Sequence, residues 1–312
     1  MKQAFTLIEI IVTIIILAII STGTLISVQQ LYIRVAKSKI ISNLSSDSQV
    51  ISDQISSILY DRVPSSVIGY SSDGNFSSIY SLNTDFKILE WIGTLEEAMK
   101  AVYYSGFVDI DKSQKETNTI ISFDINSSAI ESMLKHKFGN TISNSDLAVI
   151  FAGTFDDGLL TSSNDFNNSF GWHGHEHNQT YNIILHDNNI TLLERPKEIY
   201  EKYYLIDTAY GVARGDSIDL NATCIKDLNQ SVNEYTLFLF YNYRPWKTQT
   251  FCADTHIFHH ETKEGNVTIL SQNVKGFQAG LINDCIYFNL SLEKSIKGSQ
   301  NSITVSKQKV VF

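Results

Sequence analysis

The 312-residue sequence predicts an α+β fold, in which one long N-terminal helix is packed on a head domain with an antiparallel β-sheet. Three observations predict it. An apolar run from Phe5 to about Val28 continues, with no Pro and a single Gly, into an amphipathic stretch that reaches residue 63. The last third of the chain, from Tyr203 onward, is dense in β-branched and aromatic runs separated by turn residues. Between these two regions, short helical and strand-like segments share one polar background.

The first element follows from length and period. About twenty apolar residues cross a bilayer, and the run from Phe5 to Val28 meets that length. Beyond it Val28, Leu31, Val35, Ile41, Leu44, Ile51, Ile55, Ile58 and Leu59 recur mainly at three- and four-residue steps, with Ser, Asp, Gln and Lys between them. Arg62, Val63 and Pro64 close the helix, because Pro lacks the amide donor and disfavours helix in the residue before it. At 1.5 Å per residue the helix from Phe5 to Arg62 would be about 87 Å long. A single head cannot bury that length, so the first half is expected in lipid or against sister helices and the second half against the head. Gly23, flanked by Ser21, Thr22 and Thr24, is its weakest point.

The head is read in order. Pro64 to Asp85 is a polar stretch with no predicted element. Thr94 and Glu97 form a capping box that opens a short helix over Leu95 to Tyr104, and Ser128 with Glu131 repeats the device before Ile130, Met133, Leu134 and Phe138, closed by Gly139. Ile120 to Phe123 reads as a strand between them. Leu147 to Phe151 is a continuous apolar run, as in a strand covered on both faces. Tyr181 to Leu185 and Ile190 to Leu193 flank Asp187-Asn188-Asn189 as a hairpin. Tyr203 to Val212, Thr236 to Tyr243, Val267 to Leu270 and Phe277 to Leu281 are further strands. Cys285 to Leu292 alternates, with Ile286, Phe288, Leu290 and Leu292 on one face, and pairs back across Ile282-Asn283-Asp284. Ile303 to Val305 and Val310 to Phe312 supply the last edge.

Charge narrows the function classes. A formal charge of -9 repels phosphate backbones, so no nucleic acid is expected as a partner. No Gly-x-Ser-x-Gly, P-loop or dinucleotide fingerprint is present, and the chain is read as no enzyme.

One charge, Glu9, stands inside the apolar run, where a lone carboxylate costs about 3 kcal/mol or more in a bilayer. With Lys2, the small Ala4, and Phe5-Thr6-Leu7-Ile8 before it, this segment resembles the prepilin signature of type IV pilins and type II secretion pseudopilins. The resemblance implies a leader peptide over 1–4, cleavage by prepilin peptidase between Ala4 and Phe5, and N-methylation of Phe5. Ala4 stands where the family usually has Gly. It also implies that Glu9 directs assembly by pairing with the Phe5 amine of its own or an adjacent subunit, since the two are four residues apart on a helix.

By the same resemblance the chain divides into residues 5–28, the transmembrane half of the helix, 29–63, its amphipathic half, and 64–312, an α+β head. The implied setting is the bacterial inner membrane, crossed once, with the head in the periplasm or on an extracellular filament. The implied partners are other pilin or pseudopilin subunits, prepilin peptidase, an inner-membrane assembly platform and the membrane itself. The bulk of the head points to a minor pseudopilin. Lys202-Tyr203-Tyr204-Leu205 with Arg214, and Phe240-Tyr241-Asn242-Tyr243-Arg244, resemble the heads of larger minor pseudopilins. The rival readings are a filament-tip adhesin or DNA-uptake pilin, and a membrane-anchored metal-dependent enzyme.

That last rival rests on histidines. On an extended segment His173, His175 and His177 would face one way and converge on a transition metal such as zinc. Cys252, Asp254, His256, His259 and His260 form a second cluster, and solvated loop histidines are the plainer reading of both. Asp156, Asp157, Asn164 and Asp165 offer calcium-type oxygen donors, although their spacing matches no EF-hand and an ordinary acidic loop is the plainer reading. No cofactor is required. Three cysteines imply one disulfide and one free thiol in an oxidising compartment. Cys224 with Cys252 is the favoured pair, because Cys285 sits in a strand. A zinc site using Cys252 and His256 is the alternative.

Overall fold

Helix α1 runs unbroken from Leu7 to Tyr60, 54 residues or about 81 Å. The structure is a computed structural model that describes residues 7–70, 75–80, 86–139, 143–155, 166, 168–186, 189–255, 262–283, 285–296 and 301–312. Gly23 does not interrupt the helix. Hydroxyls around it donate to carbonyls of the preceding turn: Thr22 to Ala18 at 2.8 Å, Thr24 to Ile20 at 3.0 Å and Ser27 to Gly23 at 2.9 Å. Such bonds satisfy polar side chains without water.

The helix has two parts. Every residue from Leu7 to Val35 is exposed, whereas Leu44, Ser48, Ile51, Ser52, Ile55 and Leu59 are buried at three- and four-residue steps. Pro64 ends the element by starting a 3-10 turn, Pro64–Ser66.

Among the described residues, ten strands form the main sheet. In chain order they begin with β1 (Ile68–Tyr70), β2 (Phe76–Ser78), β3 (Ile88–Thr94), β4 (Thr119–Ile121) and β5 (Ala148–Phe151). β6 (Tyr181–His186), β7 (Asn189–Leu192), β8 (Tyr203–Arg214) and β9 (Leu237–Tyr243) follow. A parallel pair, β10 (Gln249–Phe251) and β11 (Thr262–Glu264), lies outside this sheet, and β12 (Asn266–Ser271) completes it. The order is β2-β1-β3-β8-β5-β6-β7-β4, with β9 on β8 and β12 on β9, and each pairing is antiparallel.

β8 is the spine. One edge pairs with β3, while the other is shared: Tyr203 to Ile206 pair with β5, and Ala209 to Arg214 pair with β9. Asp207 and Thr208 sit at the fork and are buried. Thr208 closes it by accepting the Asn242 amide on Oγ1 at 2.7 Å, and Asp207 takes Lys137 Nζ at 3.1 Å.

A second sheet, β13 (Val274–Ile282), β14 (Cys285–Ser295) and β15 (Ser302–Val311), is an antiparallel meander. Ile286, Phe288, Leu290 and Leu292 of β14 are buried and share a core with Leu44, Ile51, Ile55 and Leu59 of α1 and with Leu89 and Trp91 of β3. The stem is thus clamped by the small sheet against the large one.

Several local expectations are corrected. The helix read over Leu95 to Tyr104 contracts to α2 (Glu96–Lys100), and Thr94 is no cap. It is the last residue of β3, and its hydroxyl donates to the Asp61 carbonyl at 2.9 Å. Helix α3 (Ser127–Phe138) is capped by Asn126, whose Oδ1 accepts the Ala129 amide at 3.0 Å, so Ser128 lies inside the helix. The polar stretch from Pro64 to Asp85, for which the sequence offers no element, holds a 3-10 turn, β1 and β2 among its described residues. The two short segments expected at the final edge are one strand, β15.

Candidate functional site

The uncovered half of α1 is the first candidate. Leu7, Ile8, Ile10, Ile11, Ile14 and Ile15 are all exposed, and the helix is long and apolar enough to cross a membrane by length and composition. Glu9 lies in its first turn, and its carbonyl accepts the Thr13 hydroxyl at 2.6 Å. Ala4 and Phe5 lie outside the described residues.

A polar cluster inside the head is the second candidate. Strand β3 turns Ile88, Glu90 and Ile92 toward one core and Leu89 and Trp91 toward the other, as strand alternation demands. Glu90 is completely buried. Its carboxylate accepts hydrogen bonds from the hydroxyls of Tyr70 and, at 2.5 Å, Tyr243. With the Tyr70 proton directed to Glu90, Nε2 of His173 is the donor to the same phenol oxygen. The opposite ring nitrogen, Nδ1, faces Asp254 Oδ2 at 3.7 Å, and that carboxylate accepts the Thr250 hydroxyl at 2.7 Å. Burial, then the negative charge of Glu90, pushes both phenols well above the usual tyrosine value.

Local chain geometry places His173. Gly171 is left-handed, with φ 79°, and approaches Pro245 so closely that a Cβ would lie 2.6 Å from its carbonyl oxygen. Trp172 is buried and donates its indole N–H to the Ser66 carbonyl at 3.1 Å. His173 follows at φ 53° in a 3-10 turn.

This turn corrects the extended segment expected for the three histidines. His173 is buried, His175 is exposed, and His177 is half-buried with Nδ1 2.9 Å from the Thr180 carbonyl. Partial desolvation of its ring in the turn, followed by the neighbouring His173 imidazole, holds the His175 pKa below its usual value although the residue is exposed overall. His173 and His175 both pack on the Phe76 ring, with centroids 4.7 and 5.6 Å away, while His177 bonds elsewhere, and among the described residues no group of three or more His, Cys, Asp or Glu is placed to hold a metal ion. Asp254 of the second cluster joins His173, while His256, His259 and His260 lie outside the described residues, as do Asp156, Asp157, Asn164 and Asp165.

Cys224 and Cys252 are joined in a disulfide with their Cα atoms 6.3 Å apart, and Cys285 is a free, half-buried thiol. This bond leaves Cys252 unable to serve as a thiolate ligand beside His256. Glu90, the hub of the buried cluster, was missed by sequence reasoning. The only available signal was an acid inside an otherwise apolar run, the same kind of signal that singled out Glu9.

A long apolar helix, bare at one end and carrying an antiparallel head at the other, is consistent with a pilin-like subunit anchored in a membrane. Residues 1–25 match the family model of the prokaryotic N-terminal methylation motif. Together the motif and the helix support a type IV pilin-like or pseudopilin subunit, which implies processing by prepilin peptidase and assembly with other pilin subunits. No curated protein and no solved structure matches the chain.

Proposed function

We propose that the chain is a minor pseudopilin of a type II secretion system or a related type IV filament, held in the inner membrane by one span with its head outside the cytoplasm. The observation that carries this reading is the division of α1: its apolar half has no cover in the head, while its polar half is locked to it. A helix left bare over that length needs lipid or sister helices. The disulfide supports a head in an oxidising compartment.

In this reading peptidase cleavage after Ala4 exposes the Phe5 amine, which is methylated and meets Glu9 of a neighbouring subunit. Pairing offsets the cost of a carboxylate in lipid and sets the stagger between subunits. The helix then passes from bilayer to fibre core. The experiment is expression with and without a prepilin peptidase, followed by mass spectrometry of the N-terminus. A chain beginning at methylated Phe5 only when the peptidase is present is the expected result. Glu9→Gln and Glu9→Leu should remain in the membrane and fail to enter filaments, and filaments formed at native levels by both would sink the proposal.

A further inference from the structure

Exposed aromatic side chains of the head are concentrated in one place. Beyond the exposed stem, the large exposed aromatics among the described residues are Tyr60, Tyr80, Phe107, Phe123, Tyr235 and Phe312. Four of these six, Tyr60, Tyr80, Phe107 and Phe312, line a single groove of about 690 Å³ at the head end of α1. Scattered exposed rings are ordinary, whereas a cluster on a concave surface marks recognition. The volume lies in the range of small-molecule clefts and holds roughly two or three sugar rings.

The polar rim selects the ligand class. Asp61, Glu96, Arg62 and Lys202 all contribute to the lining, and Lys100 reaches both carboxylates at 3.8 Å from outside it. Neither sign dominates, so the groove lacks the continuous positive track that a nucleic-acid strand needs. Arg62 is held by its own Nη1, which donates to the Leu59 carbonyl at 2.9 Å and the Phe312 carbonyl at 3.4 Å. Its buried Nε has no acceptor among the described residues. The two carbonyls fix the guanidinium at the groove wall, so little side-chain freedom remains to be lost when it meets a ligand hydroxyl. Flat apolar ring faces beside carboxylates and a guanidinium match a molecule with C–H faces and an equatorial belt of hydroxyls.

We propose that this groove binds a neutral oligosaccharide, stacking its sugar faces on Tyr60 and Phe107 while its hydroxyls bond to Arg62, Asp61 and Glu96. The test uses the full chain in a detergent without a sugar headgroup. Maltotriose, cellotriose, chitotriose and mannotriose are titrated singly, with an oligothymidylate and a tyrosine-rich peptide in parallel, and binding is followed by saturation-transfer NMR. At least one trisaccharide should bind. The Tyr60→Ala/Phe107→Ala double variant should bind it about tenfold more weakly at an unchanged melting temperature. Should that variant fold poorly, Glu96→Gln, which keeps the ring platform, should also weaken binding. The proposal is overturned if no trisaccharide binds at millimolar concentration, if the variants bind as well as the native chain, or if only the peptide or the oligonucleotide occupies the groove.

Discussion

Glu90 and Tyr243 are 153 residues apart in the chain, yet the Tyr243 hydroxyl donates to the Glu90 carboxylate at 2.5 Å in the core of the head. The contact ties β3 to β9, which do not pair with each other and lie on opposite edges of β8. It also sets a requirement. A buried carboxylate persists only where donors replace its water, and here two phenols do so.

Removing one donor should therefore cost more than an ordinary hydrogen bond. Tyr243→Phe keeps the ring and deletes the hydroxyl, and a loss of about 1–3 kcal/mol is expected because a fully buried Glu90 oxygen is left without its donor. Urea denaturation of native and variant chains measures it. The same substitution made together with Glu90→Gln should cost less than the sum of the two single changes, since the partners act as a unit.

Alkaline pH addresses the same cluster from the other side. The folded-state pKa values of Tyr70 and Tyr243 lie well above those of unfolded tyrosine, first through burial and then through Glu90. The stability this protonation confers is complete below the unfolded value near ~10 and is lost as pH rises toward the folded values. Stability should fall above about pH 10, with phenolate absorbance appearing together with loss of structure. Phenolate formation in a chain that stays folded would contradict this.

Acid acts through different residues. Burial pushes the Asp146 carboxyl up, but bonds from Lys247 Nζ at 2.5 Å and the Ser143 amide at 2.8 Å hold it below its usual value. Asp216 is likewise pushed up by burial and held below by the Arg214 guanidinium. Both contribute fully above the unfolded carboxylate pKa, near ~4, and lose that contribution as pH falls toward their folded values. The urea midpoint should drop from about pH 5 downward, and Lys247→Met should flatten that slope.

The joint between stem and head depends on apolar contact. Leu59 is fully buried at the end of α1, beside Trp91 and the inward face of β14. Leu59→Ala should destabilise the head by about 2–5 kcal/mol. Membrane association should be unchanged, because the bare half of the helix is untouched. Thermal unfolding and membrane fractionation of the same preparation separate the two effects.

Where a signal is local, the chain can be read directly. The three- and four-residue spacing of Leu44, Ile51, Ile55 and Leu59 is a property of one helix, and the alternation of Ile286, Phe288, Leu290 and Leu292 belongs to one strand. Buried strand β3 shows no such alternation, since both its faces are covered and its run contains a carboxylate. The α3 cap was misplaced because Asn126 and Ser128 are both good capping residues, and only the path of the preceding chain chooses between them. The histidine segment misled for the same reason, since its backbone is set by contacts of Gly171 and Trp172 with Pro245 and Ser66.

Composition and period alone establish a membrane-length helix, its continuation along the head, and a β-rich remainder, because hydrophobicity and spacing along one element need no partner. The fork of β8, the burial of Glu90 between two tyrosines, the different surroundings of the three histidines and the aromatic groove are settled only by folding. Each depends on groups brought together from distant parts of the chain, and a hydrogen bond across 153 residues leaves no periodic trace in either of the segments that make it.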